Sequence, residues 1–187
     1  MAPQKILTYP DPRLKQEAEP VERFDEALRE LVRDLEQTMR AGPAAVGIAA
    51  PQVGRLLRVA LVDVTAREAG SLSRSAGRAR APDSARKIEE HHGRMVLVNP
   101  EIVTWDGLAV GREGCLSVPG YTGNVIRAEQ VELRAYDEQG VEQRHALRGF
   151  EARVAQHELD HLDGLLFLDR LVSRRSDLFR RKGNRRG

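Results

Sequence analysis

"VAQHELDHLDG", Val154 to Gly164, is the stretch from which this chain is best read. On a helix, His157 and His161 stand four residues apart, on one face and one turn from each other. Glu158 lies on the flank of that face. This arrangement suits two imidazoles on a metal with a carboxylate beside it. Phe150 and Val154 continue the face, so the spacing predicts a helix from about Phe150 to Leu162, buried along this edge. Gly164 fits its C-terminal cap. Two histidines in ordinary polar contacts are the bland alternative, because His-Glu-x-x-His also arises by chance. Two imidazoles are in any case half a site, and the third ligand must be found.

One class of helical zinc proteases places a glycine and then a third histidine six residues after the second. Gly164 is present here, but Phe167 occupies the histidine's place. Another class takes a downstream glutamate, and no glutamate follows Glu158. Asp163 and Asp169 remain open. Upstream lies "GREGCLSVPGY", Gly111 to Tyr121, with Cys115, the chain's only cysteine. A lone cysteine is usually a small buried hydrophobe. Beside two helical imidazoles, a thiolate makes a good set for zinc or ferrous iron and leaves a fourth position open.

Around this site the chain reads as α+β. Asp11 and Pro12 begin a short helix. Phe24, Leu28, Leu31, Leu35 and Met39 recur at helical spacing until Gly42 and Pro43 stop the run. "LRVALVDV", Leu57 to Val64, is an apolar strand. "MVLVNPEIVTW" resumes strand character, and "AEQVELRAYDEQGVEQRHALRG" is a hairpin turning at "DEQG". "LLFLDRL" and "SRRSDLFRRK" fit strand or helix equally. The expected fold is mainly antiparallel sheets packed around a central metal-binding helix, with N-terminal helices. Residues 1–172 form a single domain. Within it, residues 66–93, rich in Ser, Ala, Arg and Gly, form a mobile insertion loop. His91 and His92, at the loop's end, are read as solvated.

With 187 residues, 41% of them hydrophobic and 31% charged, the chain is a globular protein large enough for a real core. No apolar run suits a signal peptide or a membrane span, and one cysteine excludes an internal disulfide. A cytoplasmic, reducing setting is expected. The net charge of +2 conceals an asymmetry. Residues 170–187 hold eight basic side chains and one acid, and the rest of the chain holds 22 basic and 27 acidic. Residues 173–187 are thus expected to form a basic tail, either solvated or able to touch RNA.

Three stretches together resemble the peptide deformylase family: "AVGIAAPQVG" (Ala45 to Gly54), "EGCLS" (Glu113 to Ser117) and "QHELDH" (Gln156 to His161). "ILTYPDPRLKQEAEPV", "VLVNPEI" and "HLDGLLFLDRL" resemble it outside the motifs, so the likeness spans roughly residues 5–172. The resemblance implies removal of the formyl group from the N-terminal formyl-methionine of nascent peptides. It implies Cys115, His157 and His161 as metal ligands and Glu158 as general acid/base. The Gln52 side chain and the Leu116 backbone N–H would form the oxyanion hole. Ferrous iron is the usual metal of the family, with zinc or nickel in some members. An extended peptide is expected to lie along Val46–Gly47–Ile48 and near Gly120 and Tyr121. Ile48, Phe150 and Val154 are expected to wall a methionine pocket. The ribosome is a candidate partner through the basic tail, whereas a membrane or DNA is not. Two departures stand out. Ala45 replaces the glycine that usually opens the first motif, and Thr122 lies where relatives often carry a basic residue.

Overall fold

In the computed structural model, the described residues are 3–42, 45–65 and 91–181. Asp11 starts the first element: its carboxylate accepts the Arg13 N–H, and Pro12 opens the 3₁₀ turn Pro12–Lys15. Proline loses nothing there, since its missing N–H would have no helical partner. Asp25 caps helix α1, Glu26–Ala41, by accepting from Leu28 N at 3.3 Å. Leu28, Leu31, Val32, Leu35 and Met39 form its buried stripe. The helix ends at Gly42, as its sequence spacing predicts.

The strands are β1 Gly47–Ala49, β2 Val59–Val62, β3 Met95–Asp106, β4 Ala109–Cys115, β5 Val118–Arg127, β6 Gln130–Tyr136, β7 Glu142–Arg148 and β8 Leu178–Arg180. They build a five-stranded sheet, β1-β2-β3-β6-β7, and a three-stranded sheet, β4-β5-β8. Every pairing within the sheets is antiparallel. The second long helix, α2, spans Gly149–Leu162, close to the expected bounds.

Strand β2 explains the layering. Val59 and Leu61 pack with the stripe of α1, while Ala60 and Val62 pack with Ala152, Val154, Ala155, Leu159 and Leu162 of α2. All four residues are buried, so the strand reads as a continuous apolar run without alternation. A third cluster joins Leu7, Leu14, Leu166 and Phe167 to Cys115, Val118 and Val125 of the smaller sheet. Ten of the fourteen residues of α2 are buried, His157 to Leu162 without interruption. It is the central helix of an α+β fold, and Gly164 (φ 69°) follows it where an added Cβ would lie 2.9 Å from the backbone of Lys15.

The basic tail differs from its expected bounds. "SRRSDLFRRK" resolves into a helical turn, Arg174–Asp177, and then β8. β8 pairs with β5 through Tyr121↔Arg180, Thr122↔Phe179 and Gly123↔Leu178. Leu178 and Phe179 are half-buried there, which favours docking over solvation. Residues 173–181 thus belong to the folded domain. The insertion expected over 66–93 falls outside the described residues except at 91–93.

Leu35 is fully buried between α1 and the larger sheet. Leu35→Ala is expected to cost about 2–5 kcal/mol. A lowered urea midpoint with an unchanged m-value would show it.

Candidate metal centre

Cys115 ends β4, and His157 and His161 project from one face of α2. Their ligand atoms all lie within 4.8 Å of one another, and all three residues are buried. Cys115 Sγ is 3.2 Å from His161 Nε2. Asp163 and Asp169, the alternatives left open by the sequence, are engaged elsewhere. Asp163 Oδ1 accepts from Arg58 and Asp169 Oδ2 from Lys15.

The chemistry of this donor set fits a divalent transition metal: one thiolate and two imidazoles converge, a set of three that leaves the fourth position of a tetrahedral ion to another ligand. Burial works to raise the Cys115 thiol. His161 and His157 outweigh it and hold the thiol well below its usual range. The thiolate is the form that ligates. Ser117 N–H points at the same sulfur from 3.4 Å.

His157 is oriented from behind. Its Nδ1–H donates to Glu113 Oε2 at 2.8 Å, leaving Nε2 for the centre. Carboxylate–histidine pairs of this kind fix the ring and the tautomer of a metal ligand. Glu113 is held in turn by Arg127 and Arg153, and Arg127 reaches on to Asp160 Oδ2 at 2.6 Å. Burial works to raise Glu113, but the hydrogen bonds from His157 and Arg127 bring it down to about 2. Glu113 and Ser117 both lie within the quoted "EGCLS", yet their side-chain roles depend on contacts 44 and 65 residues away.

Glu158 is 4% exposed, and its Oε2 has no hydrogen-bond partner among the described residues. A buried carboxylate in that condition is costly, and burial pushes its pKa up to about 7. The carboxylate lies against Gly47 so closely that an added Cβ would collide with it. Any side chain at position 47 would push the carboxylate away. Gly47 was expected to make room for a peptide; the structure shows that it first makes room for Glu158.

Gln52 is 2% exposed. Its Oε1 accepts from Ala49 N at 2.9 Å, which turns Nε2 toward Ser117 Oγ (3.1 Å) and Cys115 Sγ (3.5 Å). Leu116 is the first residue of the turn joining β4 to β5, next to the ligand. Val46 and Phe150 pack on the cluster that contains Val154. Ile48 does not join them: it is fully buried in the α1 cluster, on the opposite face of the sheet. Alternation along β1 sends its side chain away from α2, so it cannot wall a pocket with Phe150 and Val154. The stretch at Gly120 and Tyr121 also differs from expectation. Tyr121 pairs with Arg180, and the Gly120 carbonyl accepts from Arg181 N at 2.7 Å. The C-terminal strand occupies the edge where a peptide was expected. The free edges beside the centre are those of β1 and β4.

A buried Cys/His/His set with a buried carboxylate beside it is the arrangement of a metal-dependent hydrolase. The sequence pattern of the family described as polypeptide deformylase matches residues 3–177. A peptide deformylase of Syntrophobacter fumaroxidans is 41% identical over 182 residues, covering 97% of this chain and 94% of its own. One of Thermomicrobium roseum is 42% identical over 176 residues, 93% of this chain and 89% of its own. The crystal structure of a peptide deformylase from Legionella pneumophila superimposes with a TM-score of 0.75 at 39% identity, over 91% of this chain and 86% of that one. That from Ehrlichia chaffeensis gives 0.77 at 33% identity, over 93% and 90%. The chain belongs to the polypeptide deformylase family. It is a hydrolase that removes the N-formyl group of newly made polypeptides in a metal-dependent reaction.

Glu113→Gln keeps the shape but weakens the acceptor for His157. Metal affinity is expected to fall about 10- to 100-fold, read by competition with a chelator.

Proposed function

We propose that deformylation by this chain runs on Cys115, His157 and His161 as metal ligands, Glu158 as general acid/base, and the Gln52 amide with the Leu116 N–H as the oxyanion hole. The observation that carries this reading is the buried Glu158 carboxylate, unpartnered at Oε2, beside the three convergent ligands. When bound, the cation supplies Lewis acidity and makes water a nucleophile at neutral pH. Glu158 takes a proton from the attacking water and delivers it to the leaving amine. Charge developing on the formyl oxygen meets Gln52 Nε2 and the Leu116 N–H. Donors already in place are worth about 10²–10³ in rate each. The peptide lies extended between the free edges of β1 and β4, backbone to backbone. Val46, Phe150 and Val154 receive the methionine side chain.

Ferrous iron is the native metal in this proposal, with zinc or nickel able to substitute, as the mixed thiolate and imidazole set allows. No helix among the described residues is long and apolar enough to cross a membrane. We place the enzyme in the cytoplasm, where nascent chains emerge. The basic residues that end the chain, Lys182, Arg185 and Arg186, give it a contact with ribosomal RNA.

Three experiments test these points. Protein purified without air should carry iron and release formate from formyl-Met peptides while leaving internal bonds intact. Glu158→Ala should keep the metal and lose formate release by at least about 10²-fold. Cleavage of unformylated internal bonds would instead identify a protease. For the tail, a chain ending at Arg181 should bind ribosomes more weakly, with a shallower salt dependence. Equal binding by the shortened and full chains would remove the ribosome contact.

A further inference from the structure

The outer face of the smaller sheet carries cations that deformylation, as described above, leaves without a task. Strands β4, β5 and β8 contain one acidic residue, Glu113. That carboxylate is buried and consumed by Arg127, Arg153 and His157. The pairings Gly114↔Thr122 and Thr122↔Phe179 set Gly114, Thr122 and Phe179 in one row across the sheet. Arg112 is two residues before Gly114, and Arg181 is two after Phe179, so both share the side of that row.

Each of these arginines is held in place. Arg112 lies over the Phe179 ring, 3.5 Å from its centroid, and donates to Asn124 Oδ1 at 3.1 Å. Arg181 is fixed through its backbone, whose N–H donates to the Gly120 carbonyl at 2.7 Å. Its guanidinium crosses β5 and ends against Gly114, where an added Cβ would collide with Nη2 and meet Cζ at 3.2 Å. No acidic side chain among the described residues pairs with Arg181. Gly114 immediately precedes Cys115 on the strand whose outer edge is free. An exposed guanidinium therefore sits one residue from a metal ligand, in a place open only because residue 114 has no side chain.

We propose that Arg181 is a specificity-determining residue that takes a carboxylate of the substrate, an acidic side chain close behind the formyl-methionine. The inference rests on the deformylase reading above. A peptide added to the free edge of β4 lies about 4.8 Å from it and sends alternate side chains to this outer face. The side chain opposite Gly114 then has its Cβ about 5 Å away, within reach of the Arg181 fork. Guanidinium and carboxylate match as a bidentate, charge-assisted pair. Thr122, neutral and central in the row, leaves the charge on this face to Arg181 and Arg112. The C-terminal strand thereby acts in substrate choice as well as in closing the sheet.

The test uses the full-length metal-loaded enzyme and tripeptide amides, so that no terminal carboxylate competes. Formyl-Met-Asp-Ser and formyl-Met-Ala-Asp amides are compared with the same peptides carrying Asn in place of Asp. The expected wild-type preference is about fivefold lower KM for at least one Asp peptide over its Asn twin, the scale of an exposed ion pair. That preference should sit in KM and not in kcat, and should shrink in high salt. In Arg181→Gln the ratio of the two KM values should approach one, and in Arg181→Lys part of it should return. Equal KM for Asp and Asn peptides in the wild type overturns the inference while formate release sustains the deformylase reading. An Arg181→Gln enzyme whose KM rises equally for both twins also overturns it, since a merely structural arginine would behave so. Formate release from none of the peptides overturns the deformylase reading and the inference with it.

Discussion

Helix α2 is buried along most of its length while carrying Glu151, His157, Glu158, Asp160 and His161, and those ionisable groups must be matched from other elements. Burying charges without partners is far more costly than burying apolar surface is favourable. The fold meets this demand with residues brought from distant strands. His92 answers Glu151, Glu113 answers His157, and Arg127 with Arg170 answers Asp160. Gln156 adds two bonds to the Ala128 backbone, one from each end of its amide. Glu158 Oε2 and His161 Nδ1 are the fully buried atoms of these α2 side chains left without a hydrogen-bond partner among the described residues. Both residues stand in the candidate centre. Unmet polar demand on a buried helix is where function concentrates.

The Glu113–Arg127–Asp160 chain also ties the smaller sheet to the helix. Glu113 comes from β4, Arg127 from the end of β5, and Asp160 from the turn of α2 that carries His161. Each carboxylate also has a partner outside the chain, Arg153 for Glu113 and Arg170 for Asp160. Small residues do the complementary work. Gly47 lets the Glu158 carboxylate lie on the β1 backbone, and Gly114 lets the Arg181 guanidinium lie on β4. These two glycines sit on the two free-edged strands that flank the centre.

The larger elements were legible because local rules agree with the fold. The stripe of α1 and its Gly42 stop appear in the sequence, and so does the hairpin of β6 and β7. Gln52, Cys115, His157, Glu158 and His161 were legible as a group because their motifs are unusual in combination. Ile48 was misjudged because an apolar residue in a three-residue strand can face either layer, and only the packing against α1 decides. The Gly120–Tyr121 edge was misjudged for a different reason. Whether an edge is free depends on which strand reaches it, and β8 arrives from 57 residues or more along the chain. The same long-range pairing turned part of an apparent basic tail into sheet.

The sequence by itself determined the class of fold and pointed to the donor set, since residue type and short spacing carry those, and three motifs marked the reaction family by resemblance. Helical spacing puts two imidazoles on one face, and a single cysteine leaves little choice of thiolate. Tertiary structure alone decided which carboxylate orients His157, why position 47 must be glycine, and which strand edges stay open. Those are matters of distance between residues far apart in the chain. Packing in a dense interior leaves room for only one arrangement of them, and no local pattern records which one it is.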